Sequence, residues 1–424
     1  MISNNKFFNF NAILICLFPA LLISGPFLSD FSATYLGLSF LLYCIFTKQT
    51  YYFKNYYFFY FLLIYFYLNI NSLIGFDYGI SFKSSVPFLR MILFIFSISF
   101  FVQKFPNIKF IYLKVFLACI FLLLLYSFYI ILFHQDLFGN PMLESSRITS
   151  LFGTEEIMGS YTARLLPLAI ALFYLADSKF RQIAIYVTIF LSGILIFISG
   201  ERTSLAYFLL FLTFYLFIIN KKQILCIFLI IFLTAGVTFF ANPKSINRLA
   251  VHTMLQMKSS QAPIVFSLRH MLHYLTAYEM FLNSPIAGHG LKSFRHLCYK
   301  FNKNANLPIF QTVDAKKNLG IYKNGCNTHP HSIYLEFLSE LGVIGFVLFG
   351  SIFAYVVYQI LILLKLKFLK KQTLSNKQKC LFLILAGFFT TMFPILPSGS
   401  YFNNWMLVIS YLPIGFYLGI KDSK

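Results

Sequence analysis

Seven of the eight histidines of this chain lie within, or at the edge of, one polar stretch between residues 242 and 331. Imidazole groups exchange protons near neutral pH and also bind metal ions. A metal site needs three or four ligands. His329 and His331 supply one close pair and the chain has no His-Glu-x-x-His run, so we predict no metal site. The histidines of this stretch are His252, His270, His273, His289, His296, His329 and His331.

His331 lies where a long apolar segment begins. Pro330 suits the first turn of a helix, and the flanking Ser332 can cap free amides, so we predict a helix start here. The positive end of a helix dipole disfavours an imidazolium, which leaves a neutral ring able to accept a proton. His331 is therefore a candidate general base, with His329 as a second candidate for that role. Taken alone, a histidine at a helix start is more often a polar cap.

Arg202 stands in a short turn between two apolar segments. Its guanidinium, together with the free amides of a helix start, could hold a phosphate, and we expect Glu201 to orient it. The alternative is an interfacial arginine whose head reaches the lipid headgroups. Arg269, in the polar stretch, has the same two interpretations. Two further cations on the predicted outer face are Arg147 and Arg164.

The composition requires lipid as the solvent for these residues. The chain has 424 residues, of which 59% are hydrophobic and 11% charged, and its mean hydropathy is +0.75. Such a chain cannot hide its apolar surface in a water-soluble core, and backbone groups in lipid must pair within helices. The formal net charge of +21 suggests nucleic-acid binding, but the lysines lie singly or in pairs between apolar segments, so we predict no nucleic-acid partner.

Apolar runs between polar breaks predict about 12 transmembrane helices in an all-α polytopic protein. Lysines gather in alternate loops, which places both termini in the cytoplasm. The first run could be a cleaved signal peptide, but it lacks a small-residue cleavage site, so we expect a helix. The predicted spans are 7–25, 31–47, 56–72, 86–102, 112–134, 159–177, 183–199, 204–219, 223–241, 333–362, 379–395 and 404–420.

The predicted domains follow from these spans: residues 1–241 with nine transmembrane helices, a large periplasmic loop at 242–331, and residues 332–424 with three more helices. Within the loop, helical spacing of apolar residues predicts an amphipathic helix lying on the membrane, ended by Ser284 and Pro285. The spaced apolar residues are Ile264, Leu268, Leu272 and Leu275.

Two of the seven cysteines, Cys298 and Cys326, lie in this loop, and the others fall within predicted spans. The periplasm permits disulfides, so we predict that these two cysteines pair and fix the segment that leads into the tenth span. The alternative is two free thiols.

Carboxylates are scarce in the predicted spans. An ion-coupled transporter usually carries acidic residues near the membrane midplane. Here the acidic residues lie near span ends, which favours chemistry at the membrane surface on an anionic, lipid-borne substrate. They are Asp30, Asp177, Glu336 and Glu340.

Several motifs follow one another between about residues 140 and 350. They are Arg147-Ile148-Thr149-Ser150-Leu151-Phe152-Gly153 with Gly159 and Tyr161, Gly200-Glu201-Arg202-Thr203-Ser204-Leu205, Asn283-Ser284-Pro285-Ile286-Ala287-Gly288-His289-Gly290-Leu291-Lys292-Ser293-Phe294, and His329-Pro330-His331-Ser332-Ile333-Tyr334-Leu335-Glu336 before Leu341-Gly342-Val343-Ile344-Gly345. Their order and spacing resemble the bacterial O-antigen ligase and O-antigen polymerase superfamily.

Members of that superfamily transfer a glycan from an undecaprenyl pyrophosphate carrier to an acceptor hydroxyl at the periplasmic face of the inner membrane, without a cofactor or an essential metal. The resemblance implies that Arg202 and Arg269 hold the pyrophosphate and that His331 deprotonates the acceptor in one inverting displacement. Arg147, Glu201 and His329 are auxiliary candidates. The family often has Asn directly after this histidine, where the present chain has Ser332.

The resemblance leaves the acceptor open. A ligase would use lipid A-core and a polymerase another carrier-linked glycan; the single late loop and the His-Pro-His run favour the ligase. A lipid or glycan transporter without chemistry is the alternative from another class. Membrane lipids are implied partners in every case.

Overall fold

In a computed structural model of the protein, the regular elements of the described residues are all helical. The structure describes residues 4–140, 147–176, 178–251, 253–254, 268–301 and 325–423. Short 3-10 turns occur at Thr50–Phe53, Val86–Phe88 and Ser150–Phe152. The α-helices of this part of the chain are α1 (Asn4–Cys16), α2 (Phe18–Ile23), α3 (Pro26–Phe46), α4 (Tyr56–Ile74), α5 (Tyr78–Ser85), α6 (Leu89–Lys104), α7 (Ile108–Phe133), α8 (Met158–Phe173), α9 (Arg181–Ser199), α10 (Arg202–Leu216), α11 (Lys221–Ala241), α12 (Pro243–Leu249), α13 (Leu268–Asn283), α14 (Phe294–Phe301), α15 (Ile333–Phe368), α16 (Asn376–Thr391) and α17 (Asn404–Asp422).

The architecture is that of a polytopic helical membrane protein, as the composition predicts. Among the described residues, 7 helical segments are long and apolar enough to cross a membrane, with α5 and α6 counted as one. The shorter apolar helices include α8 and α10. Twelve spans and a periplasmic loop remain predictions.

The first predicted span, 7–25, is not one helix. α1 ends at Cys16 and α2 begins at Phe18, with Pro19 in its first turn. Pro19 has no amide hydrogen and cannot continue the hydrogen-bond ladder of α1, which explains the break at Leu17. Each of the other predicted spans overlaps a helix.

α6 and α17 approach closely through small residues. A Cβ built on Gly415 would lie 2.6 Å from Ile98 Cβ, and one on Gly419 would lie 2.9 Å from Ser99 O and Val102 Cβ. These two glycines are four residues apart and share one face of α17, the spacing that allows helix backbones to meet within a membrane.

The amphipathic helix predicted in the polar stretch exists as α13, and it ends at Asn283, just before Ser284 and Pro285. Its apolar face is covered by protein: Leu272 and Met280 are buried, and α13 packs against α15 and α14. The prediction that this face lies on the membrane is therefore wrong for this part of the helix. Ile264 lies outside the described residues.

α15 is interrupted at Gly342, within the predicted span 333–362. Gly342 has φ +64° and ψ −169°, a conformation essentially restricted to glycine. Residues 285–290 lie against the break and replace the lost backbone hydrogen bonds. These bonds join His289 N to Ser339 O at 3.1 Å, Gly290 N to Glu340 O at 2.8 Å and Val343 N to Pro285 O at 2.8 Å. The loop after α13 is thereby fixed to the helix that follows His331.

Candidate functional site

Three of the histidines named above gather around His331. The ring centroid of His331 lies 4.1 Å from that of His329, 5.1 Å from that of His270 and 5.4 Å from that of His273. His270 and His273 belong to α13, while His329 and His331 belong to the segment before α15. Elements far apart in sequence therefore build one imidazole cluster.

His331 is held by its backbone. It has φ +58°, a left-handed conformation that few residues other than glycine adopt. Its carbonyl accepts hydrogen bonds from Ser398 N at 3.0 Å and Tyr274 Oη at 3.5 Å. Non-glycine residues in this conformation persist where surrounding contacts enforce it, and they concentrate at functional sites.

The start of α15 differs from the prediction in one detail. Ser332 is the N-cap, and its side chain accepts a hydrogen bond from Leu335 N, as the sequence predicts. Pro330 lies before the cap and not in the first turn of the helix. His331 therefore precedes the helix, beside its positive end.

Two of the histidines that surround His331, His273 and His329, have defined hydrogen-bond partners. His273 Nδ1 lies 2.9 Å from Gly325 O, so this nitrogen carries the proton and donates it. Thr328 Oγ1 lies 3.0 Å from His329 Nδ1. Burial, with the charge of Lys292 as an additional cause, lowers the pKa of His329 to about 4 despite the opposing effect of a hydrogen bond with Ser398. His329 is therefore neutral near pH 7.

Three arginines gather beside the turn between α9 and α10. Arg202 opens α10, Arg147 forms an ion pair with Glu156, and Arg248 comes from α12. A Cβ built on Gly200 in this turn would lie 3.2 Å from Arg248 Cδ and 3.9 Å from Arg147 Cγ. We call Arg147, Arg202 and Arg248 the arginine cluster.

Arg248 was not anticipated from the sequence. Its helix is fixed by Ser245, whose Oγ donates to Ile198 O at 2.8 Å near the end of α9. Burial, followed by repulsion from Arg147 and Arg202, lowers the pKa of Arg248. The only signal in the sequence is a position shortly after the ninth predicted span, on the same predicted face as Arg202.

Glu201 accepts hydrogen bonds from the start of α8 and from a hydroxyl of α10. Its carboxylate accepts from Gly159 N at 2.6 Å, Ser160 N at 3.1 Å and Ser204 Oγ at 2.8 Å. It therefore caps the start of α8 from another part of the chain. Burial raises the pKa of Glu201 to about 7, although these hydrogen bonds and the charge of Arg147 act in the opposite direction.

Tyr207 and the segment at 397–398 connect the two clusters. Tyr207 lies five residues after Arg202 on α10, roughly 7.5 Å along the helix. Its hydroxyl accepts from Arg164 Nη2 at 3.2 Å and donates to Pro397 O at 3.3 Å. Ser398, the next residue, donates to the His331 carbonyl. Arg164 thus packs inside the bundle and donates to the tyrosine that links α10 to this segment.

Buried carboxylates brace the loop beside the histidines. Glu340 accepts from Lys292 N at 2.7 Å, and Glu336 accepts from Tyr401 N at 2.8 Å and from the hydroxyl of Ser400. Lys292 Nζ donates to Ser400 Oγ at 3.3 Å. These buried acids therefore hold Lys292 and residues 400–401 against the first part of α15.

The remaining predicted residues are placed as follows. Arg269 is in the first turn of α13, directly before His270, but its side chain lies outside the described residues. A disulfide joins Cys298 to Cys326, with their Cα atoms 5.2 Å apart. His252 and Asp177 also fall outside the described residues.

Within the described ranges, no group of three or more His, Cys, Asp or Glu side chains is arranged to hold a metal ion.

Residues 187–350 match the family model described as O-antigen ligase. The matched range contains Arg202, Arg248, α13 and His331, so it includes the histidine cluster and two members of the arginine cluster. No curated protein sequence matches the chain. Over residues 187–350 the chain is therefore similar to the O-antigen ligase family.

Proposed function

We propose that this protein transfers a glycan from undecaprenyl pyrophosphate to a hydroxyl of lipid A-core at the periplasmic face of the inner membrane, with inversion and without a metal. The observation that carries the proposal is the hydrogen-bonded connection from α10, which begins at Arg202, to His331. The arginine cluster suits an anionic leaving group, and the histidine cluster contains a base candidate, His331. Tyr207 bonds to Pro397 and Ser398 bonds to His331 along this connection. Arg202, Arg248 and His331 lie within the range that matches the O-antigen ligase family model.

In this proposal the acceptor oxygen attacks the anomeric carbon while its proton passes to His331. The bond from that carbon to the pyrophosphate oxygen breaks, and the electron pair leaves with the pyrophosphate. Arg202, Arg147 and Arg269 stabilise the developing negative charge, as preorganised cations do in a site that excludes water. General-base catalysis contributes roughly 10²- to 10⁴-fold to such a step.

His331, and not His329, is the proposed base. The lowered pKa of the half-buried His329 makes it a weak proton acceptor at neutral pH. Its ring lies 4.1 Å from that of His331 between centroids, so it can shape the pocket around the base without taking the proton.

Complementation tests this function. The gene is expressed in one Gram-negative strain that lacks its O-antigen ligase and in another that lacks its O-antigen polymerase, and lipopolysaccharide is separated on gels. We expect long O-antigen ladders to return in the ligase-deficient strain only, and His331→Ala, Arg202→Ala or Arg269→Ala to abolish this rescue.

Membrane levels of each variant are measured by immunoblot, with Lys244→Ala, at an exposed position of α12, as a variant expected to rescue fully. Rescue of the polymerase-deficient strain alone would assign the polymerase reaction instead. Full rescue by His331→Ala would favour a transporter without chemistry and contradict the proposal.

A further inference from the structure

The ring of His331 has a side-chain amide partner from outside the His-Pro-His run. Asn327 Nδ2 lies 2.9 Å from His331 Nε2. The oxygen of the same amide, Oδ1, accepts a hydrogen bond from Thr328 N at 2.8 Å. Because Oδ1 is used by a donor, the NH₂ group must face the ring, which assigns the orientation of the amide from its hydrogen bonds.

This geometry has one consequence for the proton on the ring. An NH₂ group can only donate, so His331 Nε2 must accept, and in the neutral ring the single proton then resides on Nδ1. Nε2 keeps its lone pair and points toward the amide. A ring in this state is ready to take a proton at Nε2.

We propose that Asn327 is a positioning residue, which holds His331 with an unprotonated Nε2 aimed at the place where the acceptor hydroxyl binds. The proposal rests on the proposed function. On binding, the acceptor hydroxyl replaces the Asn327 NH₂ group as the donor to Nε2. Its proton then transfers to Nε2 as the acceptor oxygen attacks, giving an imidazolium with protons on both nitrogens.

Asn327 is itself fixed by its neighbours in sequence. Gly325 accepts from His273 Nδ1, and Cys326 is bonded to Cys298 of α14. Three consecutive residues thus contact the histidine cluster or the loop that supports it.

Other titratable groups also face His331, and the test must separate their effects from that of Asn327. They are His270, His273 and Tyr274 from α13 and His329 beside it, with Lys292 and Arg295 within electrostatic range of His329. Substitutions confined to Asn327 leave all of these groups in place.

The direct test reads the tautomer without any activity. The protein is labelled with ¹⁵N-histidine, reconstituted in lipid, and its ring nitrogens are observed by solid-state NMR, with His331→Gln used to assign the signals of His331. In the native protein we expect a neutral ring with the proton on Nδ1. In Asn327→Asp a carboxylate replaces the donor, so we expect the proton on Nε2. Asn107→Asp, an exposed position elsewhere, should leave the native signals unchanged.

Asn327→Ala is a second variant, whose side chain cannot donate a hydrogen bond to His331. In this variant the ring should no longer favour the Nδ1-protonated tautomer over the Nε2-protonated one. An Nε2-protonated His331 in the native protein would overturn the proposal, as would identical His331 signals in Asn327→Ala and the native protein.

Transfer kinetics separate this inference from the proposed function. A carboxylate beside His331 favours the protonated ring, so the acid limb of the pH–rate profile of Asn327→Asp should move to higher pH. Below the limb, the rate should fall about 10-fold for every pH unit by which the limb moves. An unchanged profile in an active Asn327→Asp variant would overturn the inference and leave the proposed function intact. Full activity of His331→Ala would overturn the proposed function, whatever tautomer is observed.

Discussion

His329 and His331 are two residues apart, yet their surroundings give them different properties. His329 is half-buried, and its Nδ1 contacts Thr328. His331 is held by its backbone carbonyl and by Asn327. Desolvation and hydrogen-bond partners thus distinguish two histidines that the sequence placed side by side as first and second candidates for the base.

The lowered pKa of His329 predicts a specific loss of stability in acid. This pKa is about 4 in the folded protein, against an ordinary value of 6.5. The folded state therefore binds fewer protons than the unfolded state between these values. The contribution of the neutral ring is present above pH 6.5 and is lost as the pH falls toward 4. We expect His329→Gln to flatten the fall of the melting temperature over this window, measured by scanning fluorimetry in detergent.

The exposed His296 provides the matched control, since His296→Gln should melt like the native protein at each pH. An acid-induced loss in His329→Gln equal to that of the native protein would show that this ring is not the cause.

The position of Arg248 predicts that it contributes to the affinity for the carrier-linked donor. A guanidinium in the arginine cluster that bonds a phosphate contributes about 1.5–3 kcal/mol, which corresponds to a loss of affinity of roughly 10- to 150-fold on removal. We expect Arg248→Ala to raise the KM for the carrier-linked donor by such a factor, while the KM for the acceptor changes little. Lys244→Ala, on the exposed side of the same helix, should leave both values unchanged. Equal KM values in Arg248→Ala and the native protein would remove Arg248 from the site.

Some residues of this candidate site could be proposed from the sequence alone. His331 and Arg202 could be proposed because each lies at the start of an apolar segment with fitting neighbours. Arg248 could not, because its role depends on a tertiary contact with Gly200 that no local pattern encodes. Asn327 is only four residues from His331, but its contact with the ring depends on the backbone conformation of the segment between them, which the residue types do not specify. The orientation of Arg202 by Glu201 stays a prediction, and the contacts of Glu201 with the start of α8 could not be predicted because they are tertiary.

At the scale of elements, α15 and the loop after α13 form one unit. The apolar pattern of 333–362 predicts a continuous helix, but Gly342 breaks it where residues 285–290 insert. A helix can open in this way only where another segment supplies hydrogen bonds to the freed backbone groups. The pattern could not reveal the break, because apolar periodicity reports which residues are buried and not what they contact.

Because residues 285–290 pack against the break at Gly342, we expect Gly342→Ala to be strongly destabilising. A Cβ there would lie 2.2 Å from Ile286 O, and the residue has a positive φ. Strain of this kind costs about 1–3 kcal/mol before any clash is added. We expect a clear drop in melting temperature together with loss of transfer activity.

Gly350 lies further along the same helix, and a Cβ there would meet nothing within 4 Å. Gly350→Ala should therefore match or slightly exceed the native melting temperature, since alanine is the better helix former. Equal melting temperatures for Gly342→Ala and Gly350→Ala would show that the break in α15 is not required.

At the scale of the whole molecule, composition predicted a polytopic helical membrane protein, and the structure agrees. The pattern did not fix the number of spans. α1 and α2 form one interrupted segment, and α8 and α10 are shorter than a typical span. Lysine placement predicts that both clusters face the periplasm, where the carrier tail would remain in the membrane beside them.

The central claim is tested most directly by a transfer assay with the purified protein in lipid, supplied with the carrier-linked glycan and lipid A-core. Released undecaprenyl pyrophosphate and glycosylated lipid A-core are both quantified. We expect equal amounts of the two products from the native protein, and a rate roughly 10²- to 10⁴-fold lower for His331→Ala with donor binding retained. Transfer by His331→Ala at the native rate, or no transfer by the native protein, would contradict the central claim.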